Sequence, residues 1–269
     1  MQPFLLTPAS AAPVPILVEV PHAGLGLPSE LEGALRARPE DMLRDADPHV
    51  DRLVQGVPDR GAPLLAATLS RYVVDLNRAP DDVGRDVVAD HPAPRPTQAR
   101  GVVWSTTTDG RPLWPHPIAH AELMRRLDRY HAPYHRVIEE QLGAIHRRHG
   151  WAILLSVHSM PSMARGVRRA DVVPGTRGRT TAASRVIDAV EGHFRAHALS
   201  VRHDDPYRGG YTTGLWGRPD EGIHAVQIEI SRALYLDERS LLLKPAGVEE
   251  LGAVLGGLVE RLAALDLAG

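Results

Sequence analysis

The chain has 269 residues, 43% of them hydrophobic, a formal net charge of −2 and no cysteine. That length suits one large core or two modest ones, and the near-neutral balance offers no electrostatic footprint for nucleic acid. Without cysteine there are no disulfides, thiol nucleophiles or thiolate zinc sites, so any metal must be held by His and carboxylate.

In chain order, residues 1–14 form a loose N-terminal arm ahead of a single domain covering 1–269. Met1-Gln2-Pro3 opens no basic leader and no apolar stretch approaches about 18 residues, so a soluble, cytoplasmic protein without membrane association is expected. The β-branched run at 15–21 predicts a strand that delivers His22, followed by a loop with Gly24 and Gly26. A helix is expected from Pro39 to Gln55, then two short strands at Pro63–Thr68 and Tyr72–Leu76. From Ala79 to Pro115 the text is rich in Asp, Pro, Gly and Thr; a loop of that length is usually functional. The apolar positions from Ile118 to Ile145 recur at helical spacing, with Pro133 forcing a kink or break. A strand at 151–157 ends on His158, and a locally basic loop, Arg165 to Arg179, suits solvation or capture of a small anion. A helix at 182–196, a Gly-rich turn at Gly209-Gly210, a strand at 223–230 and a helix at 245–264 complete an α/β pattern.

Two strands thus deliver a histidine at a C-terminal edge, which in an open α/β sheet is where ligands and metals bind. The alternative is that each His caps its strand through hydrogen bonds. Asp47 and Asp51, four apart, share one helical face if a helix starts near Asp47, offering one carboxylate to a metal and another to orient an imidazole. Asp47 as an N-cap with Pro48 behind it accounts for that dipeptide without metal, but not for His49 and Asp51. Asn77-Arg78 follows the second short strand; the guanidinium fork matches a carboxylate, whether of a substrate or of Asp75, Asp81 or Asp82. Glu229 lies in the apolar run Ala225–Ile230, where a partly desolvated carboxylate suits a general base unless Arg232 pairs with it.

The ordered segments VEVPHAG, DPHVDRL, SRYVVDLNR, PLWPHP, YHAPYH, LLSVHSM, RGGYTTGLWGRP and HAVQIEISRALYLDE resemble those of N-formylglutamate amidohydrolases, over about residues 15 to 264. The resemblance implies a zinc carboxypeptidase/aspartoacylase-like (phosphorylase/hydrolase-like) α/β fold with a mixed, twisted eight-stranded sheet flanked by helices. It implies one Zn2+, or another divalent metal, per chain, bound by His22, a carboxylate from the Asp47–Asp51 segment, and His158. Glu229 stands in the position of the general base. Asn77 and Arg78, with Arg71, match the grip on a substrate carboxylate; Tyr211 and Thr213 lie in a loop that closes on the substrate or is only a packed turn. The family commonly has Asp two residues before the second His, where this chain has Ser156. The implied reaction is hydrolysis of N-formyl-L-glutamate to formate and L-glutamate, in histidine degradation. The other readings are a metallo-carboxypeptidase or deacylase acting on another N-acyl amino acid, and a non-catalytic relative that binds such a metabolite. His49, His135 and His224 are expected to be structural or to support the residues that bind metal and substrate.

Overall fold

The computed structural model describes residues 2–95 and 100–267. In chain order it contains strands β1 (Phe4–Thr7) and β2 (Ile16–Val20), helices α1 (Pro39–Asp45) and α2 (Val50–Leu53), and strand β3 (Leu64–Ala67). Helices α3 (His120–Arg126) and α4 (Ala132–His149) follow, then strand β4 (Ala152–Met160), the short hairpin β5 (Met163–Ala164) and β6 (Val167–Arg168), and strand β7 (Val172–Gly175). The chain closes with α5 (Ser184–Ala196), α6 (Tyr211–Trp216), strand β8 (Ile223–Ser231) and α7 (Pro245–Ala263).

The chain divides into two compact units, each assembled from separate segments. One, built from Leu6–Val20, His49–Ala66 and the chain from Ile138 onward, carries the sheet. Its order is β1-β3-β2-β4-β8-β7, six strands among the described residues where eight were expected. β2 pairs in parallel with β3 and β4, and β4 with β8, while β7 runs antiparallel on β8, so the sheet is mixed. Every residue of β2, β4 and β8 is buried, as parallel strands covered on both faces require. α7 packs on β2, α5 on β7, and α6 on β4 and β8. Pro174 lies in β7, which ends the sheet, where its missing N–H costs no ladder bond. The N-terminal arm is not wholly loose, because Phe4–Thr7 forms the other outer strand.

The other unit gathers the chain up to Leu5, Pro21–Pro48 and Ala67–Val137. Tyr72–Leu76 is not a strand: the Val73 N–H bonds back to the Ser70 carbonyl and that of Asp75 to Val102, so the apolar run is buried as successive turns. The expected 39–55 helix stops at Asp45; Ala46 is extended and His49 adopts a left-handed backbone at φ 63° before α2 begins. Pro133 does not end its helix: the turn before it, Leu127–His131, is a π segment in which the Ala132 N–H reaches back to Leu127, and the helix continues as α4.

Candidate metal centre

His22 lies two residues beyond the end of β2, in a loop fixed by backbone. The Gly26 N–H donates to the Thr68 carbonyl and the Ser70 N–H to Gly26, both at 2.9 Å. Gly24 allows this approach, since an added Cβ would fall within 2.7 Å of the Ala67 and Thr68 carbonyl oxygens. The Asp47 N–H donates to the His22 carbonyl at 3.0 Å, which ties the Asp47 segment to the same loop.

His22 Nε2 is 2.7 Å from Asp75 Oδ1, and its other nitrogen, Nδ1, is 3.4 Å from Asp47 Oδ2. With the Nε2 proton donated to Asp75, the Nδ1 lone pair is available as a donor, the arrangement that carboxylates impose on metal-binding histidines. Two donors each about 2.0–2.1 Å from a tetrahedral ion stand about 3.3–3.4 Å apart, which is the observed Nδ1–Oδ2 separation. Among the described residues, His22, Asp47 and His158 form a buried group whose candidate ligand atoms all lie within 4.8 Å of one another. Two imidazoles and one carboxylate make the donor set of a hydrolytic zinc site, so these residues fit the implied metal. Asp51 is exposed on α2 and outside this group; the expected shared helical face with Asp47 is lost because the helix breaks between them.

Asp75 is fully buried and satisfied by five donors. Oδ1 takes His22 Nε2 and the Asn77 N–H at 3.0 Å; Oδ2 takes Arg71 Nη2 at 2.6 Å, Arg71 Nε at 3.1 Å and Trp104 Nε1 at 3.1 Å. Burial pushes its pKa up, but the charge of Arg71, the hydrogen bond from His22 and the charge of Arg78 outweigh burial and hold the carboxyl well below its usual range. Arg71, expected on substrate, therefore has its guanidinium on Asp75 and over the Trp104 ring, 4.4 Å from the centroid. Asn77 is buried and Arg78 half-buried in the turn that follows Asp75, not at a strand end.

In the sheet, His158 is the seventh residue of the nine-residue β4 rather than its terminus. Its parallel register partner on β8 is Glu229, so the two side chains project from the same sheet face. Ser156 Oγ is 3.0 Å from His158 Nε2; the departure from the family's Asp at that position leaves a hydrogen-bonding group beside the imidazole. Glu229 Oε1 accepts from Gln227 Nε2 at 2.9 Å, and Gln227 Oε1 accepts from the Gly210 N–H at 2.8 Å, so one amide links the carboxylate to the residue preceding α6. Arg232 directs Nε to Ser159 Oγ at 3.1 Å. Tyr211 and Thr213 are on α6, the expected Gly-rich turn being only its approach; Thr213 Oγ1 is buried with no hydrogen-bond partner among the described residues.

The N-formylglutamate amidohydrolase family profile matches residues 14–236. The chain belongs to that family. An N-formylglutamate deformylase of Pseudomonas aeruginosa is 34% identical over 265 residues, 93% of each chain. One from Pseudomonas putida is 30% identical over 236 residues, 84% of this chain and 83% of its own. The crystal structure of N-formylglutamate amidohydrolase from Ralstonia eutropha JMP134 matches with a TM-score of 0.89 at 31% identity, covering 98% of both chains.

For this family member, reading the sequence passed over Asp75, Trp104 and Gln227 as parts of the site. Asp75 did carry a signal, the same one that singled out Glu229: a lone carboxylate inside an apolar run, Tyr72-Val73-Val74-Asp75-Leu76. Trp104, in the middle of a long irregular loop, carried none.

Proposed function

We propose that the protein is a metal-dependent amidohydrolase that cleaves N-formyl-L-glutamate to formate and L-glutamate, a step of histidine degradation in the cytoplasm. The observation that carries this reading is the buried His22, Asp47 and His158 group in a chain of this family. No helix among the described residues is long and apolar enough to cross a membrane. A single divalent ion, zinc by donor chemistry, would be held by His22, Asp47 and His158; when bound it lowers the pKa of a coordinated water and polarises the amide carbonyl.

The chain's own groups do the rest. Glu229 takes a proton from the attacking water as oxygen bonds to the formyl carbon, then delivers it to the departing amine as the C–N bond breaks. Gln227, by donating to one carboxylate oxygen, fixes the orientation of the Glu229 carboxylate. Arg78 offers its fork to a substrate carboxylate, with the Asn77 amide beside it, so that the formyl group is presented in one orientation. Arg71 acts through Asp75, neutralising the carboxylate that orients His22. Tyr211 and Thr213 add hydroxyl donors from α6, and the buried Thr213 Oγ1 supports a polar ligand there.

The test is product analysis. Purified protein supplied with N-formyl-L-glutamate should release formate and glutamate in equal amounts, and should turn over N-formyl-L-glutamine far more slowly because one carboxylate has become an amide. Equal kcat/KM for the two would remove the carboxylate from the account.

A further inference from the structure

Two imidazoles outside the metal group point at the backbone of the Asn77-Arg78 turn. His131 Nε2 lies 2.9 Å from the Arg78 carbonyl oxygen, and His135 Nε2 lies 2.9 Å from the Leu76 carbonyl oxygen. A carbonyl only accepts, so both histidines donate from Nε2. Both rings are buried, and their centroids are 4.5 Å apart at 39°. The two carbonyls flank Asn77 in the chain, so the backbone on either side of the buried Asn77 is held in a bracket by two side chains of one continuous helix.

The upstream half of the same turn is held differently. Asp75 Oδ1 accepts from the Asn77 N–H, and the Asp75 carbonyl accepts from the Arg78 N–H at 3.2 Å. These bonds satisfy the turn's inward N–H groups and leave the carbonyls of Leu76 and Arg78 to find donors elsewhere. The helix supplies both, and its local geometry is what allows it. His131 is the last residue of the π segment Leu127–His131 and His135 lies one turn further on in α4, so the continuous helix presents both on one side. Burial pushes both imidazoles toward the neutral form, His135 down to about 3, so neither carries a charge that would compete with Arg78 for an anion.

We propose that His131 and His135 are positioning residues that set the affinity for the substrate carboxylate by fixing the Asn77-Arg78 turn. The inference rests on the reading that Arg78 takes that carboxylate, and deepens it. A histidine kept only to fill the core would be replaceable by an aromatic ring of like size. A positioning histidine needs its N–H at the Nε2 place, which glutamine supplies and phenylalanine does not.

The experiment compares His131→Phe and His135→Phe with His131→Gln and His135→Gln, and uses Arg78→Lys as reference, all on N-formyl-L-glutamate with the metal loaded. The Phe variants should raise KM about fivefold to tenfold, the scale of one lost hydrogen bond, with kcat and metal content near those of the parent. The Gln variants should restore KM. A merely destabilised protein would lose active enzyme, lowering apparent kcat at unchanged KM. If Arg78→Lys raises KM but the Phe variants do not, the bracket is overturned and the Arg78 reading stands. If Arg78→Lys leaves KM unchanged, the reading fails and the proposal with it. Should the Phe variants not fold, long-range 1H–15N spectra of the parent decide: both imidazoles protonated at Nε2 and not Nδ1 from pH 6 to 8 is the expected result, and the opposite tautomer at either one overturns it.

Discussion

Asp75 Oδ1 sits 2.7 Å from Nε2 of His22 and 3.0 Å from the N–H of Asn77, so one buried carboxylate oxygen links the imidazole of His22 to the Asn77-Arg78 turn. Oδ2, through Arg71 and Trp104, neutralises and immobilises the group. Orientation of the His22 imidazole and orientation of the Asn77-Arg78 turn therefore share a single part.

Asp75→Asn should weaken metal affinity about 10- to 100-fold, the usual cost of losing a carboxylate that orients a ligating histidine. KM should rise in the same variant even when metal is supplied in excess, because the amide cannot satisfy all five donors at Asp75. Competition titrations against a chelator and steady-state kinetics at saturating metal separate the two effects; wild-type values in both would show that Asp75 only serves the fold.

Glu229→Gln should retain fold and metal and lose activity on the order of 10²-fold or more, since the near-isosteric amide cannot accept a proton. Metal content by elemental analysis, alongside kcat, checks this. A variant that turns over at close to the original rate would make Glu229 a structural strand carboxylate.

Arg78→Lys should raise KM for N-formyl-L-glutamate far more than it alters metal content, since a lysine ammonium cannot copy the two-pronged fork. The preference for N-formyl-L-glutamate over N-formyl-L-glutamine should collapse with it. An unchanged ratio of kcat/KM values would mean that the carboxylate is read elsewhere.

Acid should destabilise the protein through His135. Burial lowers its folded pKa to about 3, so below the unfolded value of about 6.5 the unfolded chain binds a proton that the folded chain does not. Stability contributed this way is fully present above about pH 6.5 and falls as pH drops toward 3, by about 1.4 kcal/mol per pH unit. Urea titrations at pH 7 and pH 5 should show a loss about 2 kcal/mol larger for the parent than for His135→Gln. Equal losses in the two proteins would contradict the assignment.

Much of this was legible in the sequence where regular structure carried it. The apolar runs of β2, β4 and β8 and the periodicity of α5 and α7 identify those elements because buried strands and amphipathic helices leave patterns. Tyr72–Leu76 misleads for a physical reason: its residues are as buried as a strand's, but their backbone bonds go to Ser70 and Val102, which composition does not reveal. The Asp47–Asp51 helix fails because a left-handed residue, His49, intervenes. Pro133 reads as a break because the π segment that accommodates it leaves no mark in hydrophobic spacing. His22 and His158 were singled out from strand ends, whereas Asp75, which bonds His22, and Trp104, which bonds Asp75, lie in irregular chain and become visible only in three dimensions.

His22, Asp47 and His158 are expected to hold the ion that this chemistry needs. The direct test is to remove metal from the purified protein by chelation and dialysis, then titrate Zn2+ back while following formate release from N-formyl-L-glutamate, in the parent and in His22→Ala and His158→Ala. The account predicts negligible release from the stripped parent, full recovery at one zinc per chain, and no recovery in either variant although both remain folded. Full activity in the stripped parent, or stoichiometric zinc uptake with restored activity in either variant, would contradict it.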